Sequence, residues 1–215
     1  GSFLWIIKKD TVEAEEIFLK AAEKGNIGAM LLLGNIYWNE KRDFTSAEKY
    51  LVLAVEKDSS YAMSLLANLY FEANISHRKT KAIELCVTAV ESATESHSIF
   101  SLIVYTKILL WNEKVKEASD KILQILNGSL HTDANMAEVS KAIEYFLVFR
   151  QKQFLYQTFT SNQQLIDRYK PVYYALMHEL QEEYPNEYLK MTEELKEPVN
   201  AILDFVKKEQ IRLGV

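Results

Sequence analysis

The chain has 215 residues, with 25 Lys and Arg against 30 Asp and Glu and a formal net charge of −5. Apolar residues make up 48% of it and charged ones 26%, the balance of a globular protein long enough to bury a core without metal or disulfide staples. Six Gly and three Pro are too few for the turns of an all-β protein; the single cysteine forbids an internal disulfide or a four-thiolate metal site; the acidic balance argues against a nucleic-acid footprint.

In chain order, Gly1-Ser2 stands without a methionine, as an expression-tag remnant does, and the apolar stub Phe3-Leu4-Trp5-Ile6-Ile7 follows. Ala14, Phe18, Ala21 and Ala22 then recur at helical spacing, as do Ala29, Leu33 and Tyr37, which predicts two amphipathic helices. Between them Gly25-Asn26 suits a helix C-terminus. Thirty-three residues on stand Ala47, Leu51, Ala54, Ala62, Leu66 and Tyr70, in which only Phe18 has changed, to Leu51. Here Asp58-Ser59 lies between the stripes and suits a helix N-cap. A further 35 residues give Ala82, Cys86, Ala89, His97, Ser101 and Tyr105, a weaker copy, and a fourth fades through Ala118, Ile122 and Ile125. Each copy predicts two antiparallel helices, a unit that buries its apolar face only by stacking on the next. The most apolar stretch, 99–111, is interrupted by Ser101, Thr106 and Lys107, so no membrane span is expected.

The run Ala14-x3-Phe18-x2-Ala21-Ala22-x2-Gly25-x3-Ala29-x3-Leu33-Gly34-x2-Tyr37 resembles the tetratricopeptide repeat, in its Sel-one-like variety. The second copy keeps that core as Leu66-Ala67-Asn68-Leu69-Tyr70, and the third, Ser101-Leu102-Ile103-Val104-Tyr105, departs from it at both small positions. The resemblance covers about residues 3–127. It implies an all-α fold, an α-solenoid of antiparallel helix pairs whose concave face takes protein or peptide segments. In that register Tyr37 falls on Leu4 one repeat earlier, so the first repeat is expected to be truncated and the chain to be a piece of a larger protein.

Beyond residue 132 the period is lost. Helices are expected near 133–150, 161–182, 186–196 and 198–212, with Pro171, Pro185 and Pro198 at helix starts. Residues 141–170 carry net +3 and residues 179–209 net −5, and seven of the twelve tyrosines lie between Tyr145 and Tyr188. A C-terminal helical cap over 128–215 accounts for this, its acidic helices folding back on the basic one, after repeats over 1–127. The runs 167–177 and 184–188 are similar to helical-repeat C-termini of large bacterial regulators and defence proteins.

Asn35 and Asn68 hold one repeat position, which in the resembling family often faces the groove, where an amide pairs with a peptide backbone. Trp38 and Asn39, and Phe71 and Glu72 one repeat later, are expected beside them as partly exposed anchors. Leu31 and Ser64 stand where a chaperone-tail clamp would need lysine, so an acidic C-terminal tail is not the expected ligand. The histidines, at 77, 97, 131 and 178, show no metal-ligand spacing, and Cys86 takes the slot of Phe18 and Leu51, a buried hydrophobe rather than a nucleophile. No phosphate-cradling glycine loop and no nucleophile–base–orienter set is readable, so no cofactor, metal or catalytic residue is expected. The reading is a non-catalytic scaffold or sensor module of a cytoplasmic, bacterial protein. It would bind protein or peptide, not nucleic acid or membrane, and self-associate through the missing N-terminal region. The competing reading is a helical domain of a hydrolase whose carboxylates and histidines converge only in the fold.

Overall fold

A computed structural model describes residues 11–93, 95–127, 136–184 and 191–215. The expectations resting on Leu4, Pro185, Tyr188 and His131 lie outside the described residues. The protein is all-α, and among the described residues there is no strand. It divides into two compact units, Gly1–Ile108 and Leu109–Val215.

The first unit contains α1 (Thr11–Glu23), α2 (Ile27–Asn35), α3 (Phe44–Val55), α4 (Ser60–Glu72), α5 (Lys79–Ser92) and most of α6 (Glu95–Trp111). Each of α1 to α4 packs on the helix that follows it. Ala14, Phe18, Ala29, Leu33, Ala54 and Ala62 are buried together, the positions at which the sequence repeats. Ala21 is only half-buried, whereas its counterparts Ala54 and Ala89 are fully enclosed.

The turns inside the first two copies are the same device 33 residues apart. Gly25 closes α1 at φ 82° and Asp58 closes α3 at φ 58°, both left-handed. Asn26 then caps α2 by accepting from the Ala29 amide at 2.8 Å, and Ser59 caps α4 by accepting from the Ala62 amide at 3.2 Å. Each dipeptide therefore ends one helix and starts the next, where the sequence assigned one role to each.

The helix crossing between copies shows matched volumes. A Cβ on Gly34 would stand 2.8 Å from Leu51 Cδ2, so α2 and α3 approach as closely as they do only because position 34 has no side chain. In the next copy Ala67 and Cys86 hold these positions, both fully buried. The larger residue on one helix goes with the smaller on the other. Burial also pushes the Cys86 thiol far above its ordinary range, so it packs as a hydrophobe, as expected.

The change of period from 33 to 35 has a local cause. From Tyr37 the chain runs through a π-helical turn (Ile36–Glu40) directly to Asp43, whose carboxylate caps α3 at the Ser46 amide. From Tyr70 it passes instead through a 3₁₀ turn (Ser76–Arg78) before α5, a connection two residues longer.

The second unit follows the end of α6 with α7 (Val115–Asn127), α8 (Met136–Val148), α9 (Lys152–Thr160), α10 (Gln163–Arg168), α11 (Lys170–Glu179) and α12 (Glu193–Leu213). Its core is Val139, Ala142, Phe146, Val172, Leu176, Val199 and Val206. Helix α12 packs on α8 and α11, and Gln210 donates to the Val148 carbonyl at the end of α8, 3.1 Å away. Basic and acidic stretches do meet: Lys152 pairs with Glu179 at 2.8 Å, and Tyr156 stacks on Tyr184 with centroids 4.2 Å apart. Tyr173 is buried edge-on against Phe159, a packing role.

Three boundaries differ from expectation. A helix forms at 152–160 where none was expected, because Arg150 turns left-handed at φ 59° and restarts the chain. The expected helix 161–182 breaks at Tyr169, because Pro171 has no N–H to continue α10 and is tolerated in the first turn of α11. Pro198, placed at a helix start, lies inside α12, where burial of Val199, Ile202, Leu203 and Val206 holds the helix together beyond it.

Candidate functional site

The first two copies share a polar clamp that the sequence reading passed over. Tyr37 donates to Glu15 at 2.6 Å, and Tyr70 donates to Glu48 at 2.7 Å, with both partners displaced by 33 residues. A cation completes each: Lys41 pairs with Glu15 at 2.5 Å and lies 4.9 Å from the Tyr37 ring centroid, and Arg78 pairs with Glu48 at 3.5 Å and lies 5.6 Å from that of Tyr70. The signal was available, since Glu15 and Glu48 recur at the same offset as the tyrosines. Burial alone would raise the Glu15 carboxyl, but the hydrogen bonds from Lys41 and Tyr37 outweigh it and hold it below its ordinary value. The bond to Glu15, with burial, pushes the Tyr37 hydroxyl well above the usual tyrosine range, and burial followed by Glu48 does the same for Tyr70. These clamps tie each tyrosine to the preceding helix and fix how the ridge beside it is presented.

That ridge carries the six residues singled out from the sequence, and the two copies present it differently. Asn35 and Asn39 are exposed and Trp38 is half-buried. Trp38 and Asn39 sit in the π-helical turn, closed by the Lys41 amide on the Ile36 carbonyl at 3.1 Å. In the second copy Asn68 and Glu72 are half-buried, and Phe71 is fully enclosed at 0% exposure. Phe71 is therefore not the exposed anchor expected of it.

Lys107 contributes to the difference. Its ammonium reaches from α6 to α4, donates to Asn68 Oδ1 at 2.6 Å, stands 3.8 Å from Glu72 Oε1, and lies 5.5 Å from the Phe71 ring centroid. Its side chain is 11% exposed. The same two helices are joined by a buried bond between the Ser64 and Ser101 hydroxyls at 2.9 Å and by the Tyr61 and Phe100 rings at 5.2 Å. The second ridge is thus occupied from within the chain, a role for Lys107 that its place in an apolar run did not announce.

Other arrangements offer less chemistry. Among the described residues no group of three or more His, Cys, Asp or Glu side chains could hold a metal ion. No described helix is long and apolar enough to cross a membrane. A cavity of about 10 Å³ bounded by Ile122, Ile143, Phe154, Phe159 and Leu165 is apolar and has room for about one water molecule. In the second unit Glu209 is buried against Arg212, which makes it a structural ion pair. No family model, no curated protein and no solved structure matches this chain.

Proposed function

We propose that the chain is a non-catalytic interaction module of the tetratricopeptide type, Sel-one-like variety. In this reading its helix pairs form an α-solenoid closed by the C-terminal helices, as part of a larger cytoplasmic protein in which it serves as scaffold or sensor. A peptide or protein surface lies along the ridge of the first copy, where Trp38 supplies the aromatic anchor and Asn35 and Asn39 pair with polar groups of the partner. The single observation that carries this reading is the contrast at one repeat position: Asn35, Trp38 and Asn39 face solvent at least in part, whereas Asn68, Phe71 and Glu72 are taken up by Lys107. The repeated turns and clamps support the solenoid.

The test compares wild type with Trp38→Ala and Asn35→Ala as baits in extract of the native cell. A partner held by wild type and depleted on either variant, at unchanged melting temperature, is the expected result. A partner held equally by all three baits would move the search for function to Leu109–Val215.

A further inference from the structure

Lys107 shows what the ridge is chemically able to hold. In the second copy an amide oxygen, a carboxylate and an aromatic ring at positions 68, 72 and 71 surround one primary ammonium group, at 2.6, 3.8 and 5.5 Å. An ammonium is a compact charge with three donors, and such a set meets it with acceptors on one side and a π face on the other. The same positions in the first copy hold Asn35, Trp38 and Asn39: an amide, a larger aromatic and a second amide. Indole is the best of the aromatic faces for a cation. Both asparagines are exposed, and among the described residues no cation is seated on Trp38.

Two further observations favour this spot. Trp38 and Asn39 are carried on a π-helical turn, a local departure from the α-helix that is often found at functional sites and that the second copy lacks. The next lysine along the chain, Lys41, is held by Glu15 and turned onto Tyr37, so its charge is compensated and it does not fill the site. The exposed Glu40 carboxylate stands next to Asn39 in the same turn, on a chain whose net charge is −5.

We propose that Asn35, Trp38 and Asn39 form a lysine-reading subsite, the open counterpart of the one that Lys107 fills in the second copy, and that the partner is a segment presenting a lysine side chain to it. The inference rests on the ridge of the first copy being the binding surface, and adds the chemistry of what binds there.

The test uses the full chain and a fluorescent nine-residue peptide of three Gly-Ser-Lys units, read by anisotropy, beside counterparts with glutamate or leucine in place of lysine. Trp38→Ala and the pair Asn35→Ala with Asn39→Ala leave the net charge unchanged, so general attraction between an acidic chain and a basic peptide is the same in every sample. Saturable binding of the lysine peptide, weakened about tenfold or more by either variant at unchanged melting temperature, is the expected result. Binding of the lysine peptide that neither variant alters overturns the proposal. If the leucine or glutamate peptide binds instead and is lost in the variants, the ridge remains the binding surface and the lysine inference falls. If no peptide responds to either variant, both fall together.

Discussion

The first and second copies of the 33-residue unit use one plan for their turns, caps and tyrosine clamps, yet they present their ridges oppositely. Around Tyr37 the polar positions 35 and 39 face water; around Tyr70 the positions 68 and 72 are bound to Lys107. Part of the difference lies within the copies, since only the first carries its ridge on a π-helical turn. The rest comes from what the following element offers, because α6 brings a lysine to α4. Recurrence in a repeat therefore fixes where a side chain sits on its helix, and the neighbouring helix decides whether it is free for a partner.

The largest effect that sharpens this comparison is expected at Lys107. Lys107→Ala removes a charged side chain that is 11% exposed, together with its contacts to Asn68 and Glu72, which should cost about 2–4 kcal/mol in urea unfolding. A loss under about 1 kcal/mol would mean that the ammonium is not what organises the second ridge.

Next in size is the helix crossing. Gly34→Ala should destabilise by about 1–3 kcal/mol, because the added Cβ meets Leu51 at 2.8 Å. Adding Leu51→Cys brings the first copy close to the small-residue pair of the second, Ala67 and Cys86, and should restore part of that loss. If the double variant is less stable than the sum of the two single changes, the matched-volume account is wrong.

The clamps should behave alike. Tyr37→Phe and Tyr70→Phe each remove a donor to a carboxylate and should each cost about 1–2 kcal/mol; unequal costs would break the equivalence of the two clamps. A smaller, pH-dependent effect follows from Glu15. Its carboxyl is held below its ordinary value in the folded state, so its contribution is present above the unfolded value near 4.5 and fades as pH falls through the folded one. Glu15→Gln should therefore lose less stability than wild type between about pH 5 and pH 3, followed by thermal melts.

The all-α class and the helix pairs of the first two copies were legible in the sequence. Alanines, leucines and tyrosines at offset 33 report helix crossings, and those crossings are where the buried residues lie. Ser59 was legible as a cap. Asp58 as a left-handed closure was not, since glycine is the residue that advertises that conformation and aspartate only tolerates it. Beyond residue 132 no repeat constrained the boundaries, and a proline inside α12 read as a start because its local preference was outweighed by burial further along the helix. The ridge was legible as a set of positions but not as an environment. Nothing in Asn68, Phe71 or Glu72 themselves reveals that a lysine 39 residues beyond Asn68 lies across them. Such a contact depends on how α6 packs, and tertiary packing carries no local pattern.

The most direct measurement sets Asn35→Ala beside Asn68→Ala in the same urea unfolding experiment. One residue is exposed and the other accepts a hydrogen bond at 2.6 Å from an almost buried ammonium. Asn68→Ala should lower stability by about 1–3 kcal/mol, and Asn35→Ala should stay within about 0.5 kcal/mol of wild type. Equal losses at the two positions would contradict the account, because the ridge of the first copy would then be as fully engaged as that of the second.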